Sequence, residues 1–239
     1  MKYVFGINPV TELLKSGKKI NEIYILNSKK NKLIEIEKTA KQNNVKINYT
    51  DKEFFEKKTG DLNHQGIIAL SSDNITPRLN EDELYNIQNE KITLLALDGI
   101  TDPHNLGAVL RSADLFGVNA VILPKDKSAV VNETVYKTSS GAAFYVPTCT
   151  VTNLTRTLEK LKKNGFWIYA LDIDNGINLK DEKFPDKCVI VLGSEGKGLK
   201  RIVKNACDII LTIPMAGHVD SLNASNACAI VLYEIFNHN

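Results

Sequence analysis

Short hydrophobic runs recur along the second part of the chain, and segments with helical spacing of apolar residues lie between them. Runs that are apolar at every position are typical of strands in a parallel sheet covered on both faces. The predicted strands are 92–97, 120–123, 167–171, 188–192 and 209–213. The predicted helices are 106–116, 131–138, 154–163, 199–205 and 224–236. This alternation predicts an α/β fold with a parallel sheet from residue 92 onward.

The first part of the chain also alternates strand and helix patterns, over shorter segments. Its predicted strands are 22–26, 45–49 and 66–70, and its predicted helices are 9–16, 32–43 and 52–58. Residues 71–80 have the composition of a linker, and a short helical pattern follows at 81–88. We therefore predict a small α/β domain over residues 1–75, a linker over 76–91 and a larger domain over 92–239.

Charge and composition narrow the class of protein only slightly. The 239 residues carry a net charge of +2, but residues 1–75 alone carry +4. A basic N-terminal part is compatible with contacts to nucleic-acid phosphates, and equally with a solvated lysine-rich surface. No apolar run approaches the roughly 20 residues that a membrane span needs, and no signal peptide is recognisable. We expect no membrane association and a cytoplasmic location.

The cysteines bear on redox state and metal binding. The four cysteines are spread singly, without a CxxC pair. This spacing supports neither a disulfide framework nor a metal site, so reduced thiols and no bound metal are expected.

Two polar, glycine-bearing loops follow predicted strands, where α/β folds place their ligands. The loop at 98–113 leads into a helix, with Asn105 near the helix cap and Arg111 about two turns in. An arginine there either points into a site or extends its charge to solvent. The loop at 192–199 contains three glycines, which permit close approach of the backbone to a ligand.

A third loop, at 213–225, leads into the C-terminal helix, and its Ser221 and Asn223 are candidate caps or ligand contacts. Common phosphate-binding motifs do not match these loops. Gly193 and Gly198 have the glycine interval of a P-loop, but Leu199 stands where its lysine is required. No G-x-G-x-x-G follows the first strand of the larger domain, which disfavours a dinucleotide site. The residues alone thus indicate an α/β protein with a ligand site built from late loops.

Taken together, the three loops resemble the signature motifs of the SpoU-type RNA ribose 2′-O-methyltransferases of the SPOUT superfamily, which include the TrmH family. The matching segments are 102–113, 192–199 and 213–217 with 221–225, in the family's order and spacing. The departures are mild, such as Ala224 where valine is frequent. Segments 6–14 and 63–67 resemble the accessory domain of the branch that modifies large-subunit ribosomal RNA, a domain similar to ribosomal protein L30e.

The resemblance implies a fold and a cofactor. The C-terminal domain would contain a deep trefoil knot, with S-adenosylmethionine bent inside it and two subunits paired through their catalytic domains. Backbone groups of Gly193, Ile213 and Leu222 would hold the cofactor. Three neighbouring residues would lie beside it: Ala170, Leu171 and Ala224.

The resemblance also implies catalytic roles. Arg111 would be the activating residue, assisted by Asn105, while Glu195, Ser221 and Asn223 would position the nucleotide. Because arginine is effectively always protonated, we interpret Arg111 as a fixed cation that stabilises the developing alkoxide rather than as a general base. No metal is required. His104 and His218 are interpreted as loop-shaping or RNA-contacting residues.

The function predicted from these motifs is methyl transfer to a ribose 2′-hydroxyl of structured RNA, with a guanosine of 23S ribosomal RNA as the favoured target. One alternative is a tRNA ribose methyltransferase of the same family. Another is a non-catalytic RNA-binding protein that kept the fold, which would be expected to lose Arg111 or Asn223. An enzyme with a nucleotide cofactor is disfavoured by the absent phosphate motifs.

Overall fold

The computed structural model describes residues 2–60, 63–71, 74–173, 176–196 and 198–238. The first sheet has the strand order β1-β4-β2-β3, in which only the β2–β3 pair is parallel. Its strands are β1 (Lys2–Phe5), β2 (Glu22–Leu26), β3 (Lys46–Thr50) and β4 (Ile67–Ser71). The accompanying helices are α1 (Ile7–Lys15), α2 (Ile34–Gln42) and α3 (Lys52–Thr59). We call this unit the N-terminal domain.

The second sheet has eight strands in the order β10-β12-β9-β11-β6-β7-β8-β5, all paired in parallel. Its strands are β5 (Arg78–Leu79), β6 (Ile92–Asp98), β7 (Ala120–Pro124), β8 (Thr148–Val151), β9 (Trp167–Leu171), β10 (Ile177–Asn178), β11 (Lys187–Gly193) and β12 (Ile209–Thr212). The accompanying helices are α4 (Glu81–Tyr85), α5 (Pro103–Leu115), α6 (Glu133–Thr138), α7 (Leu154–Lys163), α8 (Arg201–Asn205) and α9 (Ala224–His238). We call this unit the C-terminal domain.

The two central strands, β6 and β11, explain the continuous hydrophobic runs. All seven residues of β6 are buried, and alternate positions enter different cores. Leu95 and Leu97 join a core that includes residues of α5, α6 and α9, whereas Leu94 and Ala96 join one that includes residues of α4, α7 and α8. Since helices cover both faces, neither set of side chains reaches solvent. The predicted α/β fold with a parallel sheet is confirmed, whereas the trefoil knot stays a prediction.

Helix α5 begins at Pro103, three residues before its predicted start. Asp102 is the N-cap, because its carboxylate accepts a hydrogen bond from the backbone N–H of His104 at 2.9 Å, and Pro103 occupies the first turn. Proline suits that position because its fixed φ is already helical and its missing N–H would have no helical partner. Asn105 therefore lies inside the first turn of α5 and is free to contact other loops.

The range predicted as a linker contains one strand of the larger sheet, β5, and one helix packed beside it, α4. Strand β5 pairs with β8, and α4 packs beside β8 and α7. Helix α4 begins with a capping box, in which Asn80 and Glu83 each accept a hydrogen bond from the other's backbone N–H, at 2.8 Å and 2.7 Å. Within the described ranges, no helix is long and apolar enough to cross a membrane.

Candidate active site

Three neighbouring strands, β9, β11 and β6, end at the same edge of the parallel sheet. Gly193 at the end of β11 lies in register with Asp98 at the end of β6. The segments that follow β9, β11 and β12, together with residues of α8 and the start of α9, line a cavity of about 620 Å³. Its position at the carboxyl ends of the strands is where parallel α/β sheets bind ligands.

The cavity has a mixed apolar and charged lining. Five of the six predicted cofactor-binding residues line it: Leu171, Gly193, Ile213, Leu222 and Ala224. The sixth, Ala170, is fully buried in β9, one position before the rim, and does not line the cavity. The predicted positioning residues Glu195 and Ser221 line it as well.

The sequence motifs did not identify four charged residues that line the cavity: Asp172, Arg201, Lys204 and Asp220. The Lys204 ammonium forms an ion pair with Asp172 at 2.6 Å, which joins α8 to the end of β9. Asp172 directly follows a buried strand, and that position could have marked it in the sequence. An apolar lining with a few charged groups is typical of small-molecule sites. No group of three or more potential metal-ligating side chains occurs in the described part of the chain.

The loop after β11 passes very close to Gly193. A Cβ atom on Gly193 would lie 2.2 Å from the carbonyl carbon of Gly198 and 2.4 Å from the nitrogen of Leu199. The loop also closes on itself, because Ser194 and Gly198 exchange backbone hydrogen bonds of 3.1 Å and 2.9 Å. Only glycine fits at position 193 in this arrangement. Lys197, part of the predicted second motif, lies outside the described residues.

The buried carboxylate of Asp98 links the loop after β11 to the end of β6. Asp98 is 2% exposed, and its Oδ2 accepts a hydrogen bond from the backbone N–H of Lys200 at 2.9 Å. Its Oδ1 forms an ion pair with the Lys200 ammonium. The end of β6 thereby holds the far end of the 194–200 loop in place.

We expect Lys200→Met to lower the free energy of unfolding by about 1–3 kcal/mol, because the buried Asp98 carboxylate loses its charged donor. Urea denaturation would measure this change. Lys163→Met is the control, because Lys163 is an exposed lysine outside the loop. Equal stability of the two variants would contradict the proposal that Asp98 holds the loop through Lys200.

One hydrogen-bonded cluster joins all three predicted motifs. The Asn105 amide donates to Glu195 Oε1 at 2.8 Å, and the Asn223 amide donates to Asn105 Oδ1 at 3.1 Å. The Asn223 amide also donates to Glu195 Oε1. Asn223 in addition caps α9, because its Oδ1 accepts from the backbone N–H of Ser225 at 2.9 Å. The cluster therefore holds a solvent-exposed carboxylate in a defined position at the rim of the cavity.

Among the predicted catalytic residues, Ser221 lines the cavity beside this cluster, whereas Arg111 lies apart from both the cluster and the cavity. It follows Asn105 by six positions on α5, which places it roughly 240° further around the helix. Arg111 lines a second cleft, of about 390 Å³, between α5, α1 and residues 139–145. It is exposed, and it forms no hydrogen bond or ion pair with the described residues. Within one chain, its guanidinium is thus available to an external anion.

Comparison with known proteins gives consistent matches over nearly the whole chain. The SpoU rRNA Methylase family matches residues 92–233. The family described as "RNA 2'-O ribose methyltransferase substrate binding" matches residues 3–74. A Staphylococcus aureus protein named for the TrmH family of tRNA/rRNA methyltransferases is 40% identical, over 98% of this chain and 94% of that protein. A relative from Staphylococcus haemolyticus with the same name is 38% identical over the same shares of the two chains.

Solved structures show the same fold. A protein of Porphyromonas gingivalis, described as an RNA methyltransferase of the TrmH family, superposes with a TM-score of 0.76 at 26% identity, covering 100% of this chain and 90% of that one. An rRNA methyltransferase of Sinorhizobium meliloti with AdoMet bound superposes with a TM-score of 0.77 at 21% identity, covering 99% of this chain and 87% of that one. The matched family covers the whole cavity and the three-motif cluster, and the chain belongs to the SpoU family of RNA methyltransferases.

Proposed function

We propose that this RNA methyltransferase takes the methyl group from S-adenosylmethionine and transfers it to a ribose 2′-hydroxyl of structured RNA. The observation that carries this proposal is the cluster of Asn105, Glu195 and Asn223 at the rim of the cavity. The cluster assembles one side chain from each motif beside a space of suitable size for a small cofactor.

The residues around the cavity fit S-adenosylmethionine. The close approach of Gly198 and Leu199 to Gly193 places backbone groups in that wall of the cavity. Backbone groups of Gly193, Ile213 and Leu222 would hold the cofactor, with Leu171 and Ala224 as apolar neighbours. The carboxylates of Glu195 and Asp220 suit its positive charges. When bound, the cofactor supplies an electrophilic methyl group attached to a sulfonium.

The chain's own residues would orient and polarise the ribose. Two amide donors hold Glu195 so that its carboxylate can accept a hydrogen bond from the RNA without reorganising. Ser221, exposed at the rim, would contact the same nucleotide. Arg111 would stabilise the developing alkoxide as a fixed cation, with the proton passing to an RNA phosphate. Because Arg111 lies outside the cavity of its own chain, we propose that it acts once RNA and a second subunit are in place.

A cofactor titration and a methyl-transfer assay test the activity. We expect calorimetric titration to show binding of S-adenosylmethionine and not of ATP or NAD, and labelled methyl groups to enter RNA. Tight binding of ATP or NAD would support the nucleotide-cofactor alternative instead. Cofactor binding without methyl transfer to any cellular RNA would support the non-catalytic alternative. The presence of both Arg111 and Asn223 argues against that alternative.

We further propose that the target is a guanosine of 23S ribosomal RNA and that the enzyme works in the cytoplasm. The support for the RNA target is the N-terminal domain, which carries the basic excess of the chain and matches a ribose methyltransferase substrate-binding family. Mapping 2′-O-methyl groups in both ribosomal RNA and tRNA of a deletion strain distinguishes the substrates. A site lost only from tRNA would select the tRNA alternative.

We also propose a homodimer paired through an apolar patch on α5 and α9. The patch consists of Leu115, Ile230, Tyr233 and Phe236, which are 65%, 39%, 53% and 57% exposed. Helices α5 and α9 pack against each other. Exposed apolar side chains gathered on two such helices are typical of an interface. Arg111 lies one turn before Leu115, at the edge of the patch. A paired subunit would therefore lie close to Arg111.

We expect sedimentation at micromolar concentration to show a dimer, and Tyr233→Asp to shift it to monomer because the charge would be buried at the interface. Ile34→Asp is the control, since Ile34 is 49% exposed but lies on α2 of the N-terminal domain. A monomeric wild type would refute the dimer. A dimeric Tyr233→Asp variant would place the interface elsewhere.

A further inference from the structure

The two domains share one hydrophobic core. Strand β1 packs against α6, and α1 packs against α6 and the short 3-10 turn at 142–144. Val4 and Val10 of the N-terminal domain and Tyr136 and Phe144 of the C-terminal domain are at most 1% exposed and belong to the same buried cluster. Separating the domains would expose these side chains to water, which is unfavourable.

Glycine at position 141 allows a close approach between the two domains. Gly141 has a φ of +95°, and a Cβ atom there would lie 2.6 Å from the Cβ of Glu12 on α1. Beside this contact, the Tyr145 hydroxyl is 3.1 Å from both the backbone carbonyl and the Oε2 of Glu12. Burial and the neighbouring Glu12 raise the pKa of Tyr145 to about 12, so its proton stays available for donation.

A second contact between the domains lies at the N-terminal end of α1. Gln65 Oε1 accepts hydrogen bonds from the backbone N–H of Ile7 at 3.0 Å and from the Lys137 ammonium at 3.1 Å. Gly6 leaves room for this arrangement, because a Cβ there would lie 2.5 Å from Lys137 Nζ. Gln65 thus joins the start of α1 to α6. It belongs to the segment 63–67, which resembles the family's accessory domain and has no part in the proposed methyl transfer.

We propose that Glu12 and Gln65 are positioning residues that fix the N-terminal domain on the C-terminal domain at one angle. The enzyme then presents a single rigid surface to RNA, and the angle determines which ribose reaches the cavity. This inference rests on the proposed function, because it assigns to the junction the selection of the RNA target. Misplacement of a substrate by about 1 Å can cost up to 100-fold in rate.

The test compares two glycine-to-alanine variants of the full chain. Gly141→Ala places a methyl group against Glu12, whereas Gly165→Ala meets nothing within 4 Å, and both positions have a positive φ, +95° and +85°. Both variants therefore bear backbone strain, but we expect only the first to separate the domains. We expect single-turnover methylation of ribosomal RNA to fall roughly 10- to 100-fold in Gly141→Ala and less than about twofold in Gly165→Ala. S-adenosylmethionine affinity should stay normal in both.

Equal methylation rates in the two variants would overturn the proposal, and so would a loss of cofactor affinity in Gly141→Ala that accounts for its slower rate. If Gly141→Ala does not fold, Tyr145→Phe replaces it. Tyr85→Phe is its control, because it removes a tyrosine–glutamate hydrogen bond of 2.8 Å within α4. We expect about a fivefold slower rate only in Tyr145→Phe, the scale of one hydrogen bond. Equal rates in the two tyrosine variants would overturn the proposal.

Hydrogen exchange tests the docking of the two domains independently of the proposed methyl transfer. We expect Gly141→Ala, or Tyr145→Phe, to increase amide exchange in both 3–15 and 133–145, whereas the matched control does not. Unchanged exchange in both segments would refute the docking, whatever the activity. A wild type that methylates no RNA would instead refute the proposed function and leave the docking result standing.

Discussion

Replacing Arg111 by lysine should slow methyl transfer by roughly 10²-fold, the scale of losing a preorganised charge-stabilising donor. Lysine keeps the positive charge, but it lacks the planar fork that can contact a ribose oxygen and a phosphate together. S-adenosylmethionine affinity should hardly change, because Arg111 does not line the cavity that would hold the cofactor. Single-turnover methylation of ribosomal RNA, together with a cofactor titration, measures both quantities.

Arg156→Lys is the matched control for this change. Arg156 is also a helical surface arginine, with a 54% exposed side chain, but it pairs with Glu81 on α4, away from both clefts. We expect its variant to retain normal turnover. If Arg111→Lys also turned over normally, Arg111 would be a surface residue that only extends its charge into solvent, and another group would have to activate the ribose.

Replacing Gly193 by alanine should weaken S-adenosylmethionine binding by more than about 100-fold, because the cavity wall must move. The added Cβ would lie within 2.5 Å of three backbone atoms of Gly198 and Leu199. Those atoms belong to a loop closed by the Ser194–Gly198 bridge, so the contact cannot be relieved by rotating a flexible side chain. Calorimetric titration measures the affinity, and thermal unfolding shows whether the variant remains folded.

The control comes from the same loop. Gly196 has a φ of +72°, but a Cβ there meets nothing within 4 Å. Gly196→Ala therefore carries backbone strain without a collision, and we expect it to bind the cofactor within about tenfold of the wild type. Normal binding by Gly193→Ala would mean that the cofactor does not occupy this cavity.

Local sequence pattern was sufficient for the central strands of the larger sheet. Strand β9 has the predicted bounds, and β6 and β7 each extend one residue beyond them. Strands buried on both faces must be apolar at every position, so their pattern is visible without any knowledge of their neighbours. The resemblance of the three loops likewise identified the family, because those motifs are contiguous in the chain.

Edge strands and helix starts were less visible. Strands β5 and β10 have two residues each, and β8 contains two threonines and a cysteine among its four residues. Such segments become strands through backbone hydrogen bonds to a neighbour, which leave little trace in local composition. Helix α5 was expected to begin three residues later than it does, because the pattern of apolar positions starts at Leu106 while the cap is Asp102.

Only the tertiary structure decided how the candidate residues are grouped. It brings together Asn105, Glu195 and Asn223, which are separated by up to 118 positions in the chain. It also places Arg111 in a different cleft, against the N-terminal domain, and shows that Ala170 is enclosed by the sheet. The sequence by itself determined which chemical groups are present and which loops carry them. Their distances depend on the order of strands in the sheet and on the packing between domains, and both are properties of non-local contacts.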